Sequence, residues 1–343
     1  MPFTRPPRRV PAALSALLAL PSLLTAPALA ASGPAAPEGT LSIRLLEIPA
    51  NRVDDVRAQR FIVDHVNPGT TFTRRLELRS TSDRPQQVQV YAAAAGIDHG
   101  RFTFAPDRAQ NELTSWIRLD RPAVTLPPNG SARVKATVAV PAAASRQERY
   151  AVIWAQTAAP PGAGAGISVV NRVGIRVYLD VGPGGEPPSD FRVSEVVPRR
   201  TADGRPALVA RVANTGQRAL DLDGTLMLTG GPSSLSAGPF PVSTGTTLAP
   251  GGQADVTVVA GADLPDGPWR FRLELASGWV ERTAEGTLTF PARAGGRGLP
   301  AALDGPVRRT TLAAVLVAGL AGAAAWTVRR RLRARRALVR RLS

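Results

Sequence analysis

Cysteine is absent from the 343-residue chain, which excludes disulfides, thiolate metal sites and thiol nucleophiles. Histidine is nearly absent, with His65 and His99 the only two. A serine–histidine–carboxylate site would have to use one of them. His65 stands in "FIVDHVNPG" with no G-x-S-x-G turn nearby, and His99 in "GIDHGRF", a hairpin-like turn. The expectation is a protein that is not an enzyme and carries no cofactor. Lysine is reduced to Lys135 among 42 basic residues, the mark of a GC-rich genome more than of a need for guanidinium groups. Acidic residues are missing before Glu38 and after Asp304.

The formal charge of +16 is therefore concentrated at the ends. Arg5, Arg8 and Arg9 open the chain, and ten arginines from Arg308 to Arg341 close it. The remaining 29 basic residues face all 26 acidic ones, a net of +3. A nearly neutral middle lacks the basic surface of a nucleic-acid binder, so no nucleic-acid partner is expected.

Both ends read as addresses. Residues 1–30 combine a basic start, an apolar stretch from about Ala12 to Leu24 and Ala28-Leu29-Ala30, the pattern of a signal peptide cleaved after Ala30. Residues 310–328 carry no charge. As a helix they would span about 28 Å, close to the roughly 30 Å of bilayer hydrocarbon. Arg329, Arg330, Arg331 and Arg333 follow at once and act as a stop-transfer signal, because basic clusters stay on the cytoplasmic side. The expected topology is a single-pass cell-membrane protein with an extracellular body and a cytoplasmic tail at 329–343.

The body reads as β throughout. "RRLELRST", "ARVKATVAV", "LVARVANTG" and "WRFRLELASG" alternate with period two or form short apolar runs, separated by "NPG", "PPNG", "APGG" and "PDG". One plan occurs twice. "TLPPNGSARVKATVAVPAAASRQERYAVIWA" at 125–155 aligns with "TLAPGGQADVTVVAGADLPDGPWRFRLELA" at 247–276, and 74–91 aligns more loosely with 208–228. The fold class is all-β, with two tandem immunoglobulin-like β-sandwiches at 41–181 and 191–291. Residues 31–40, 182–190 and 292–309 are expected as linkers, the middle one a stiff joint between two separate cores.

The stretches "VDHVNPGTTFTRRLELRSTSDRPQQVQVY" and "WIRLDRPAVTLPPNGSARVKATVAVPAAASRQERYAVIW", with a second sandwich, one span and a basic tail, resemble the WxL-interacting proteins of Gram-positive bacteria. The resemblance covers roughly residues 41 to 328. It implies a first domain that binds peptidoglycan and a second that binds a protein partner. The function expected is a surface binding protein contacting cell-wall polymer, a surface protein, or both. The alternatives are an adhesion spacer and a chaperone-like assembly factor that pairs an edge strand with a client.

Candidate contact residues follow from side-chain type. Trp154 and Trp269 lie on strands whose parity places them in the cores, whereas Trp116 in "SWIRLD" and Trp279 in "SGWVERT" are the candidates for ligand stacking. Asp54, Asp55, Asp64 and His65 form a polar cluster that could bind a hard cation or pair with Arg52, Arg57 and Arg60; without a metal-loop spacing, no metal is assigned. Tyr91 and Tyr150 are candidates to anchor corners through their hydroxyls.

Overall fold

The computed structural model describes residues 39–157, 170–243 and 245–304. The signal peptide with Ala30, the span at 310–328 and the tail with Arg329, Arg330, Arg331 and Arg333 lie outside the described residues. Among the described residues no helix is long and apolar enough to cross a membrane.

The first sandwich holds ten strands: β1 (Leu41–Leu45), β2 (Ile62–Val66), β3 (Thr71–Ser80), β4 (Gln86–Asp98), β5 (Arg101–Phe104), β6 (Ile117–Leu119), β7 (Ala123–Leu126), β8 (Ser131–Ala139), β9 (Gln147–Thr157) and β10 (Arg172–Val181). One sheet runs β1-β3-β8-β6; the other runs β2-β10-β9-β4-β5, with β7 also on β4. The edge segment thus switches sheets: β1 pairs antiparallel with β3, and β2, after a short helix α1 (Val56–Arg60), pairs parallel with β10. Asp55 caps α1 by accepting from the Arg57 and Ala58 amides at 2.9 and 3.3 Å. A second short helix, α2 (Glu112–Trp116), begins at Asn111 in a reciprocal cap with Thr114. Alternation on the strands sends Leu76, Leu78, Val88, Val90, Val134, Ile153, Ile175 and Leu179 into a common core, and burial of these side chains at about 1.5–3 kcal/mol each is the main stabilisation.

The second sandwich holds β11 (Phe191–Arg200), β12 (Pro206–Asn214), β13 (Leu220–Thr229), β14 (Ala237–Pro241), β15 (Thr246–Leu248), β16 (Gln253–Val259), β17 (Trp269–Ser277), β18 (Val280–Leu288) and β19 (Ala302–Leu303). Its sheets run β11-β12-β16 and β14-β13-β17-β18-β19, with β15 on β13. The repeat read in the sequence reappears as topology. β7 and β9 both pair with β4, as β15 and β17 both pair with β13, and β8 pairs with β3 as β16 pairs with β12. Trp269 is fully enclosed in the second core, and its indole N–H donates to the Pro265 carbonyl at 2.9 Å, which removes the cost of burying that donor.

The stretch expected as the membrane-proximal linker is partly built into this sandwich. The Gly298 and Ala301 amides donate to the Pro198 and Val196 carbonyls at 2.8 and 2.7 Å, so the chain runs along β11 before β19 joins β18. The physical reason is that an edge strand with unpaired peptide groups is satisfied by the nearest extended segment.

Candidate functional site at the sandwich junction

The outer face of the β2-β10-β9-β4-β5 sheet carries an aromatic band. One half of it, with Phe102, Tyr178, Val63 and Ala58, packs with Ala219 of the second sandwich as a small core of its own. Phe102 and Tyr178 lie 5.1 Å apart, tilted at 56°. Charged groups surround this core. Asp221, at the start of β13, accepts from Tyr178 Oη at 2.8 Å, Thr247 Oγ1 at 2.8 Å and Arg176 Nη1 at 2.9 Å through Oδ1, and from Arg57 Nε at 2.9 Å through Oδ2. The Arg57 guanidinium also lies 4.6 Å from the Tyr178 ring centre, a cation–π arrangement.

Glu148, at the start of β9, is the reciprocal hub. Its carboxylate accepts from Arg218 Nε at 3.0 Å, from the Ala219 amide at 2.7 Å and from Tyr150 Oη at 3.0 Å. Arg218 is 1 % exposed, and its other nitrogens reach the Glu186 carboxylate and the Asp64 carbonyl. Glu186 also accepts from Arg52, which holds Asp55 at 2.7 Å. The residue from the Gly/Pro segment is thereby clamped between an arginine of each sandwich. A main-chain bond from the Thr247 amide to the Gly100 carbonyl, 2.9 Å, adds a further tie.

Burial costs ions their hydration, and only close pairing repays it. This network meets that condition with multiple bonds per carboxylate, so its effect is to specify one relative placement of the two sandwiches. Burial, with the Glu148 charge beside Tyr150 and the Asp221 charge beside Tyr178, pushes both phenols well above the ordinary tyrosine range. Burial likewise raises the Asp64 carboxyl, opposed by the paired Arg74 guanidinium.

The expected site residues are dispersed by this arrangement. Trp116 is a correction: it is 7 % exposed in the first core, because α2 turns its ring inward, and the Arg149 guanidinium covers it at 4.9 Å. Trp279 is 52 % exposed at the β17–β18 tip, with Arg52 over its ring at 5.2 Å. At this tip a Cβ on Gly278, φ +61°, would lie 3.0 Å from Asp55 Oδ1, so the tip abuts the first sandwich. The cluster of Asp54, Asp55, Asp64 and His65 is not one site. Asp54 is exposed, Asp55 serves α1 and Arg52, and Asp64 pairs with Arg74. His65 contacts Asp180 at 2.6 Å through Nδ1 and the Gly184 carbonyl at 3.1 Å through Nε2. Both ring nitrogens thus face oxygen acceptors within the fold. Among the described residues no group of three or more His, Asp and Glu is placed to hold a metal ion. Tyr91 and Tyr150 donate their hydroxyls to the side chains of Gln156 and Glu148 instead of tying backbone corners.

Beside the junction a cleft of about 640 Å3 opens between His99, Gly100 and Arg101 on one side and Arg211, Gln253 and Asp255 on the other. Arg211 and Asp255 already pair across β12 and β16 at 3.3 Å, so these two charges neutralise each other. The residues that build the junction, above all Glu148, Glu186, Arg218 and Asp221, were not singled out by sequence reasoning. One signal was present: "QERYAVIW" places Glu148 and Arg149 in a strand whose both faces are otherwise apolar.

No family model matches this chain, and no curated protein matches it. Among solved structures it is similar to the class 5 fimbriae chaperone CfaA, at 11 % identity over 72 % of this chain and 99 % of that one, TM-score 0.33. It is also similar to the Pseudomonas aeruginosa chaperone CupB2, at 12 % over 68 % and 99 %, TM-score 0.36, and to the E. coli chaperone DraB, at 14 % over 77 % and 98 %, TM-score 0.36. At these values the likeness carries no residue-level or functional correspondence to this chain.

Proposed function

We propose that the protein is a membrane-tethered surface binding protein, not an enzyme, that holds a surface protein partner by adding a strand to its first sandwich. One observation carries this reading. β2 covers only Val177–Val181 of β10, and among the described residues no strand pairs with the outer edge of Arg172–Arg176. A half-open long edge offers free peptide groups to an extended segment of another chain. The outer edges of β3 before Leu76 and of β18 before Gly286 are likewise only part-covered, and the β10 stretch is set apart from them by the aromatic face beside it, Trp154 with Phe104. The remaining edges are shielded or short. The chain at 296–301 lines β11, Ser243 donates to Thr257 of β16 at 2.8 Å, and β1, β6 and β7 have five, three and four residues. The junction fixes the second sandwich relative to this edge, so the partner meets one rigid body. The membrane anchoring rests on the charge and hydropathy pattern of the two ends. The peptidoglycan reading implied by family resemblance has no stacking platform at the buried Trp116.

A photo-reactive residue at the exposed Val170, beside the open stretch, in the full-length protein displayed on intact cells tests the edge. The expected result is a discrete adduct with one surface protein that is missing when the same residue is placed at Thr283. No adduct, or identical adducts from both positions, would reject partner capture at this edge. Retention on purified sacculi without any protein adduct would favour the wall-polymer reading.

A further inference from the structure

The aromatic band continues past the junction. Beyond the half covered by the second sandwich stand Trp154, Tyr91 and Phe104, the last 42 % exposed and 4.8 Å from Trp154 in an edge-on contact. Trp154 and Tyr91 are cross-strand partners on β9 and β4. Opposite Trp154 on the other side is Gly174, where a Cβ would meet the indole at 2.5 Å; glycine at this position is what lets the ring lie across β10. An arginine covers each of the Trp154 and Tyr91 rings. The Arg172 guanidinium is 4.4 Å from the Trp154 ring centre, and that of Arg108 is 4.2 Å from that of Tyr91. Both arginines are exposed, and among the described residues neither has a carboxylate partner; Arg108 donates only to the neutral Gln89 amide oxygen. Every other arginine lying over a ring here, Arg52, Arg57, Arg74, Arg149 and Arg176, has a carboxylate partner.

We propose that Arg172, seated on Trp154 at the open edge, is a receptor for a carboxylate of an acidic, extended segment of the partner protein, with Arg108 over Tyr91 on β4 a second cationic group farther across the same face. This rests on the open-edge reading above and names the chemistry of the segment. A guanidinium stacked on a ring has its rotamer restricted while its in-plane N–H groups remain free for a carboxylate fork. Arg172 is also the first residue of the open half-edge. Along that edge Arg172 and Gly174 point outward, while Val173 and Ile175 turn toward the core. An added strand in register would set alternate residues over the same two faces. The segment that fits is therefore apolar at one parity and acidic at the other. The connection between β9 and β10 cannot supply the anion, since residues 158–169 contain no Asp or Glu. A neutral sugar is a poorer fit, because guanidinium groups lie over the Trp154 and Tyr91 rings and because the edge presents peptide groups.

The test is binding of three ten-residue peptides to the full-length protein in detergent micelles: Val alternating with Glu, with Gln, or with Lys. The Glu peptide is expected to bind about tenfold tighter than the Gln peptide, with the Lys peptide weakest. The preference should fall as salt rises. Arg172→Glu with Arg108→Glu should abolish it, and Arg172→Lys, which keeps charge but loses the planar stack, should retain part. Both sites are exposed, so unchanged melting curves confirm that the variants are folded. Equal binding of the Glu and Gln peptides, or a preference that survives the double charge reversal, overturns the receptor and leaves the edge intact. Failure of all three peptides to bind overturns both.

Discussion

Replacing Glu148 by alanine removes one carboxylate and leaves three donors without a partner. These are Arg218 Nε, the Ala219 amide and Tyr150 Oη, bonded at 3.0, 2.7 and 3.0 Å. The Glu148 side chain is 3 % exposed and that of Arg218 1 %, so water does not replace the lost bonds without opening the junction. Breaking a buried pair from one side costs about 3–5 kcal/mol. At 2–4 °C per kcal/mol for a body of this size, the melting temperature should fall by roughly 6–20 °C. Arg218→Ala should cost a comparable amount. The double variant should cost clearly less than the sum, because the second truncation removes a group whose bond the first has already broken. Calorimetry on the full-length protein supplies all four corners of the cycle. The wild type should unfold in one transition and Glu148→Ala in two, as the sandwiches uncouple. A shift of under about 2 °C with a single transition would refute the reasoning, since it would place the pair in the exposed class worth about 0–1 kcal/mol.

Tyr150 and Tyr178 are held neutral in the fold, so the unfolded chain ionises first. Their contribution to stability is full below the ordinary tyrosine value of 10.0 and is lost as pH rises above it; tyrosinate absorbance at 295 nm should show these two phenols ionising only together with loss of β-type circular dichroism. Trp116→Ala should cost about 3–5 kcal/mol as a core truncation, whereas Trp279→Ala at the exposed tip should cost about 1 kcal/mol or less, both read from urea midpoints. Ala301→Pro removes the amide bonded to Val196 at 2.7 Å and should cost about 1–3 kcal/mol; an unchanged midpoint would mean that 292–304 is a loose tether after all.

The sheet pattern was legible because period-two alternation and Gly/Pro turns are local signals. "ARVKATVAV" and "ADVTVV" lie on β8 and β16, whose pairing with β3 and β12 is equivalent, as two copies of one plan would have it. The junction was not legible, because a buried arginine and a surface arginine are the same letter. Arg218 follows "NTGQ" at a turn, where charge ordinarily means solvent, and its partners Glu148 and Glu186 lie 70 and 32 residues away. Trp116 was misplaced because "SWIRLD" offers no parity before the strand begins: α2 ends at Trp116, and its last turn sets the ring direction. Trp154 illustrates a partial success. It is buried, as its strand suggested, but on the outer face, under Arg172, instead of in the main core.

The absence of cysteine allows two spin labels to be placed without competition. With Lys135→Cys on β8 and Thr283→Cys on β18, both exposed, pulsed dipolar spectroscopy on the full-length protein reports the distance between the sandwiches directly. The charged junction predicts one narrow distance distribution in the wild type that broadens in Glu148→Ala. A broad or bimodal distribution in the wild type would contradict the claim that the two sandwiches form one rigid body.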